Sequence, residues 1–154
     1  MRSLLFILSI LMCITSVAQN KKSFLRDGNI LYADSNYNEA EIKYRKSLEK
    51  DQDYFNASFN LADAIYKQKR YTEAAAMFEA LINNAPNTNT LTKIHHNLGN
   101  SFFKEQKLEN AINAYKNALR INPNDNETRH NLALAKQQLQ QQEKQENKQE
   151  NNQE

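Results

Sequence analysis

Apolar residues recur along this chain in paired blocks, each pair interrupted by a short polar break. Ile94, Leu98, Phe102 and Phe103 form one block, Gln106-Lys107 stops it, and Leu108, Ala111, Ile112, Tyr115, Ala118 and Leu119 resume the pattern. Steps of three and four residues place such side chains on one face of a helix, so each pair predicts two amphipathic helices joined by a turn. The same arrangement precedes it in Leu61, Ile65 and Tyr66 followed by Tyr71, Ala74, Ala75, Phe78, Leu81 and Ile82, and again in Leu25, Leu31, Tyr37, Ala40, Tyr44 and Leu48. Pro86 and Pro123 stand just beyond the second and third pairs, where a residue lacking an N–H cannot continue a helix. The first pair has Gln52 at that place, which predicts a less sharply defined exit.

A longer period runs through these blocks. The small residues Gly28, Ala62, Gly99 and Ala133 are separated by 34, 37 and 34 positions, and the first three are each followed twelve residues later by Ala40, Ala74 and Ala111. Self-similarity at this length is the mark of stacked repeats. Glycine costs a helix about 1 kcal/mol relative to alanine, so Gly28 and Gly99 are expected where two helices approach too closely for a larger side chain. Alanine at the equivalent positions makes this a limit on size. The three-residue excess falls around Asn87-Thr88-Asn89-Thr90 and reads as a solvated loop between repeats.

The last unit is half a repeat. Asn131, Leu132 and Ala133 match a first helix and Ala135 and Leu139 continue its apolar side, but no second helix follows, as suits a terminal cap on a solenoid. From 137 to 154 the chain holds eight Gln, four Glu, three Asn, two Lys and a single Leu. Too little apolar surface is available there to offset ordering entropy. A disordered solubilising tail is expected, with a partner-binding tail as the alternative, and the helix formers Gln, Glu and Lys allow the capping helix to extend outward some turns and fray.

The N-terminus has a different character: Arg2, an apolar run from Leu4 to Ile14, then Thr15-Ser16-Val17-Ala18. This is the layout of a secretory signal peptide with small residues at the cleavage site. Cleavage is expected after Ala18, leaving a mature chain of 19–154 located in the periplasm; the alternative is an uncleaved inner-membrane anchor, for which the run is short against the usual 20 or so residues. The single cysteine, Cys13, lies inside this segment after Ile10-Leu11-Met12, a poor setting for lipidation, so the mature chain carries no thiol for disulfide, nucleophile or metal chemistry. Without Arg2, 19 basic residues face 18 acidic ones in interleaved order, which removes any electrostatic case for nucleic acid.

The residues from Asn97 to Pro123 follow the pattern N-L-G-N-x-x-x-K-x-x-x-x-x-x-A-I-x-x-Y-x-x-A-L-x-x-N-P, which resembles the tetratricopeptide repeat. The resemblance implies an all-α fold, a helical-hairpin solenoid of three repeats at about 21–54, 55–88 and 92–125 with a C-terminal capping helix from about 125, so that the domain fills 19–136. It also implies a peptide groove lined by the first helices. In this sequence the groove positions hold Asn29 and Tyr32, then Phe59, Asn60, Asp63 and Tyr66, then Lys93, His96, Asn97, Asn100 and Phe103. The aromatics Tyr32, Tyr66 and Phe103 are read either as grips for an apolar ligand side chain or as packing between helices. Family members that clamp a terminal carboxylate do so with two lysines, two asparagines and an arginine; Asn29, Asn60 and Lys93 fall on three of these five positions, while Leu25 and Asn97 replace the remaining cations. With two of three cations gone, an acidic terminus is a poor fit. The passage Asn122-Pro123-Asn124-Asp125-Asn126-Glu127-Thr128-Arg129-His130-Asn131-Leu132-Ala133 and the glutamine-rich tail resemble small exported tetratricopeptide proteins of aerotolerance (Bat) operons, which implies membrane proteins with von Willebrand factor A domains as partners.

Catalytic chemistry is sparse. His95, His96 and His130 are the only histidines, and the adjacent pair diverges by about 100° on a helix. His96 and His130 hold equivalent positions and could approach, but two imidazoles with no evident carboxylate or thiolate partner make a weak metal site. No nucleophile triad or phosphate-binding loop is present. The sequence therefore predicts a non-enzymatic interaction scaffold of the cell envelope without cofactor, metal or small-molecule substrate, the alternative being a periplasmic chaperone that shields apolar segments. Mass spectrometry of the exported protein is expected to find Gln19 at its N-terminus; an intact Met1 in the membrane fraction would refute cleavage.

Overall fold

The computed structural model describes residues 20–150, and the expected signal segment with its cleavage site lies outside them. Regular structure among the described residues is helical: α1 (20–33), α2 (Tyr37–Lys50), α3 (Phe55–Lys67), α4 (Tyr71–Leu81), α5 (Thr88–Lys104), α6 (Leu108–Ile121) and α7 (Asn126–Glu150), with a single 3₁₀ turn at Ile82–Asn84. None of these helices is long and apolar enough to cross a membrane. They form two compact units, α1 to α3 up to Lys69 and α4 to α7 from Arg70 onward.

In the first unit α1 and α2 make a hairpin. The chain reverses after α1 through Ser35 at a φ of 60°, with Ser35 N–H donating to Tyr32 O (3.0 Å) and Asn36 N–H to Leu31 O (2.9 Å). These paired bonds satisfy carbonyls that a helix end leaves open. Gln106 repeats the turn in the second unit at φ 63°, with Gln106 N–H bonded to Phe103 O and Lys107 N–H to Phe102 O. Lys69, in the same register, sits at φ 64°. None of the three is glycine, so each turn carries the steric cost of a left-handed side chain.

The two glycines explain the close approach inside the hairpins. A Cβ on Gly28 would lie 2.5 Å from the Tyr44 ring, and one on Gly99 would lie 2.5 Å from the Tyr115 ring. The constraint is therefore set by a tyrosine ring of the second helix, sixteen residues on, and a methyl group does not fit beside it. Ala62, the alanine in this register, is fully buried. The alanines twelve residues on, Ala40, Ala74 and Ala111, are likewise fully buried. Ala133, the fourth small residue, is exposed.

Three expectations change. Asn87 is the N-cap of α5, its side chain accepting from Thr90 N–H at 2.9 Å, and Thr88 opens the helix. The extra residues thus fall within α5, which has 17 residues against 13 in α3, instead of forming a loop. The exit of α2 is sharp despite Gln52, because Asp51 receives Lys21 and also the Asp53 N–H (3.2 Å); the Lys21 hydrogen bond, foremost, holds the Asp51 carboxyl below its ordinary value. The Gln-rich segment continues α7 as far as Glu150, as the helix propensity of Gln, Glu and Lys allows. From Glu143 to Lys148 its side chains are exposed.

Gly99→Ala should cost about 1–3 kcal/mol in overpacking against a ring only 1% exposed, and regain about 1 kcal/mol of helix propensity. The expected outcome is a thermal midpoint a few degrees below wild type; a melt at or above it would show that the ring moves freely aside.

Candidate functional site

Each unit contains a junction of three helices centred on an asparagine carbonyl. In the first, Tyr44 Oη of α2 donates to Asn29 Oδ1 at 3.0 Å and Asn60 Nδ2 of α3 donates to the same oxygen at 2.7 Å. In the second, Tyr115 Oη of α6 and Asn131 Nδ2 of α7 donate to Asn100 Oδ1 at 2.8 and 3.1 Å. The spacings are identical, 15 and 31 residues. Both lone pairs of each carbonyl are thereby used. Asn29, Asn60 and Asn100 accordingly fix the register between first helices, a role beyond the groove lining expected of them.

Asn29, Tyr32, Asn60 and Asp63, all groove candidates, come together with Tyr44 around an open recess of about 230 Å³ in the first unit. Tyr32 also packs edge-on against Tyr37, with ring centroids 5.3 Å apart, so it serves both packing and lining. Burial pushes Asp63 up to about 6, and Lys67 one turn later draws it back only in part. Burial, then Asp63, push the Tyr32 hydroxyl well above its usual range, and burial and Asp63 raise Tyr44 to about 12, which keeps both phenols neutral. Phe59 lies outside the recess lining and stacks on Phe55 at 6.2 Å. Tyr66 is half-buried at the end of α3.

In the second unit His96 is drawn toward α7. The buried Thr128 hydroxyl donates to Asp125 Oδ2 (2.6 Å) and therefore accepts from His96 Nδ1–H (2.6 Å). His96 Nε2 stands 3.5 Å from Glu127 Oε1, and its ring meets Tyr115 edge-on at 6.1 Å. Burial raises the Asp125 carboxyl, but bonds from the Thr128 hydroxyl and amide outweigh it and hold the group below its ordinary value. Asp125 thus caps α7 and ties it to α5. His130 is exposed, and no group of three or more His, Cys, Asp or Glu side chains converges among the described residues. Burial first, and then Arg120, lower His95 and keep it neutral. Lys93 is exposed, Asn97 and Phe103 half-buried. Tyr44, Tyr115, Thr128 and Asp125 were not among the groove positions expected from the sequence; the signal for the tyrosines was the repeated Gly-Asn pair sixteen and fifteen residues before each.

The folded-state value of Asp63 lies above the 3.8 of a free aspartate. Its contribution to stability is therefore complete below about 3.8 and is lost as pH rises through about 6. Asp63→Asn, which restores the residue found at Asn29 and Asn100, should be more stable than wild type at pH 8 by on the order of 2 kcal/mol, with the gap closing toward pH 4. Thermal melts across that range check this, and equal midpoints at pH 8 would contradict it.

Comparisons with known proteins agree with this geometry. A tetratricopeptide-repeat profile matches residues 25–88 and a second TPR-repeat profile matches 93–140, together well over half of the chain. The chain is 27% identical over 117 residues to the protein O-mannosyl-transferase Tmtc3 of Drosophila melanogaster, covering 75% of this chain but spanning only 12% of that relative's length. Among solved structures it resembles the first TPR of Spaghetti (RPAP3) bound to the HSP90 peptide SRMEEVD, with 26% identity, TM-score 0.70, and coverage of 79% of this chain and 94% of that one. The first TPR domain of human RPAP3 gives 25% identity and TM-score 0.71, with coverage of 81% and 96%. MamA of Desulfovibrio magneticus RS-1, at 21% identity and TM-score 0.73 over 79% of this chain and 67% of that one, shares the fold. Hairpin geometry, repeat register and both profiles place this chain in the tetratricopeptide-repeat family, whose domains are protein-interaction modules.

Proposed function

We propose that this protein is a non-enzymatic scaffold of the bacterial cell envelope that holds a segment of a partner protein on the first helices of its hairpins. The observation that carries the reading is the open recess between α1 and α3, about 230 Å³ and lined by asparagine, tyrosine and aspartate side chains. It is smaller than the roughly 300–1,000 Å³ of small-molecule pockets and suits a single side chain of a peptide. Asn29 Oδ1 is already engaged, so its amide N–H groups are the part left to meet a peptide carbonyl. The RPAP3 neighbour binds an acidic HSP90 peptide; this chain, lacking cations at Leu25 and Asn97, serves a different sequence.

Export rests on the apolar N-terminal segment ending at Ala18, and partnership with membrane proteins carrying von Willebrand factor A domains rests on the Asn122–Ala133 passage. Both are tested by placing a photo-crosslinking amino acid at Tyr32 and, as control, at the exposed Glu143. Crosslinking in envelope extracts is expected to give one stoichiometric membrane partner with an A domain from position 32 and none from 143. A scatter of unfolded clients would favour the chaperone, and equal labelling from both positions would remove the groove reading.

A further inference from the structure

We propose that the recess of the first unit selects a cationic side chain, a lysine or arginine of the bound peptide, and seats its head against Asp63 between Tyr32 and Tyr44. The proposal rests on the peptide-binding reading and adds the chemical class of what enters. Of the five lining residues one is a carboxylate, two are tyrosines, two are asparagines, and none is a cation. A tyrosine π-face attracts cations, most strongly where water is excluded; of the two rings Tyr32 is the half-buried one, Tyr44 being laid on Gly28 and 1% exposed. A carboxylate already stripped of much of its hydration has less left to lose on pairing, so an incoming ammonium or guanidinium gains more from it than from an exposed one. An acidic or C-terminal carboxylate entering the same space would meet a like charge.

The repeat register supports a ligand role. Asn29, Asp63 and Asn100 occupy one position at the 34- and 37-residue spacings. Asparagine there is sufficient for the helix junction, as both three-helix junctions show. Among these three, Asp63 is the one carboxylate; it lines the recess together with Asn29, and burial disfavours its ionised form. Groups strained in this way concentrate where they act on a ligand. Lys67, on the same helix face, is exposed and lies outside the lining.

The test uses the purified full chain at neutral pH and three capped five-residue peptides identical except for a central lysine, glutamine or glutamate. Binding is followed through the side-chain amide NMR signals of Asn29 and Asn60. The lysine peptide is expected to bind at least tenfold more tightly than the glutamine peptide, about 1.4 kcal/mol, and the glutamate peptide most weakly. Asp63→Asn should erase the preference, and Tyr32→Leu should reduce it while leaving Asp63 in place. Equal affinities, a preference for glutamate, or a lysine peptide that shifts neither amide would each overturn the proposal. Binding of the glutamate peptide at these amides as tightly as the lysine peptide, or more so, would leave the groove reading standing and remove only the cation, whereas loss of the position-32 crosslink would remove the groove itself.

Discussion

The structure depends on a buried tyrosine laid across a glycine. Tyr44 over Gly28 and Tyr115 over Gly99 fill the space a Cβ would take, so the two helices of each hairpin close on a ring. Each ring is about 1% exposed, and its hydroxyl would be costly there without a partner. The neighbouring asparagine carbonyl supplies that partner and at once receives an amide from the next first helix. One polar atom therefore couples packing within a hairpin to the helix that follows it.

This coupling also shapes the surface. Because Asn29 turns its carbonyl inward to Tyr44 and Asn60, the recess beside it is walled by tyrosine and amide groups on α1, α2 and α3, together with the Asp63 carboxyl. The second unit repeats the junction but uses its flank differently: His96 reaches through Thr128 to Asp125 and secures the start of α7.

The repeats, their helices and the identity of the family were legible because a 3.6-residue apolar period and a 34-residue repeat are properties of order along the chain. Ala40, Ala74 and Ala111 mark the buried face of each second helix in the sequence, and all three are fully buried. Errors arose where local chemistry had two solutions. Asn87-Thr88-Asn89-Thr90 is polar enough for a loop, yet an asparagine that caps its third neighbour begins a helix equally well. The glutamine-rich segment has no core to join, yet its residues extend a helix already nucleated by Asp125 and Thr128.

The sequence by itself determined the repeat, the helical faces and the residue types on the groove side, since each follows from spacing. Only the tertiary structure decided which of those residues spend their polar groups on neighbouring helices and which face an open recess. Asn29 and Asn100 are the same residue in the same register, and nothing along the chain separates a hydrogen-bonded hub from a ligand contact. Hydrogen bonds are made in three dimensions between residues 15 and 31 positions apart, so the environment that raises Asp63 exists only once α1, α2 and α3 have closed around it.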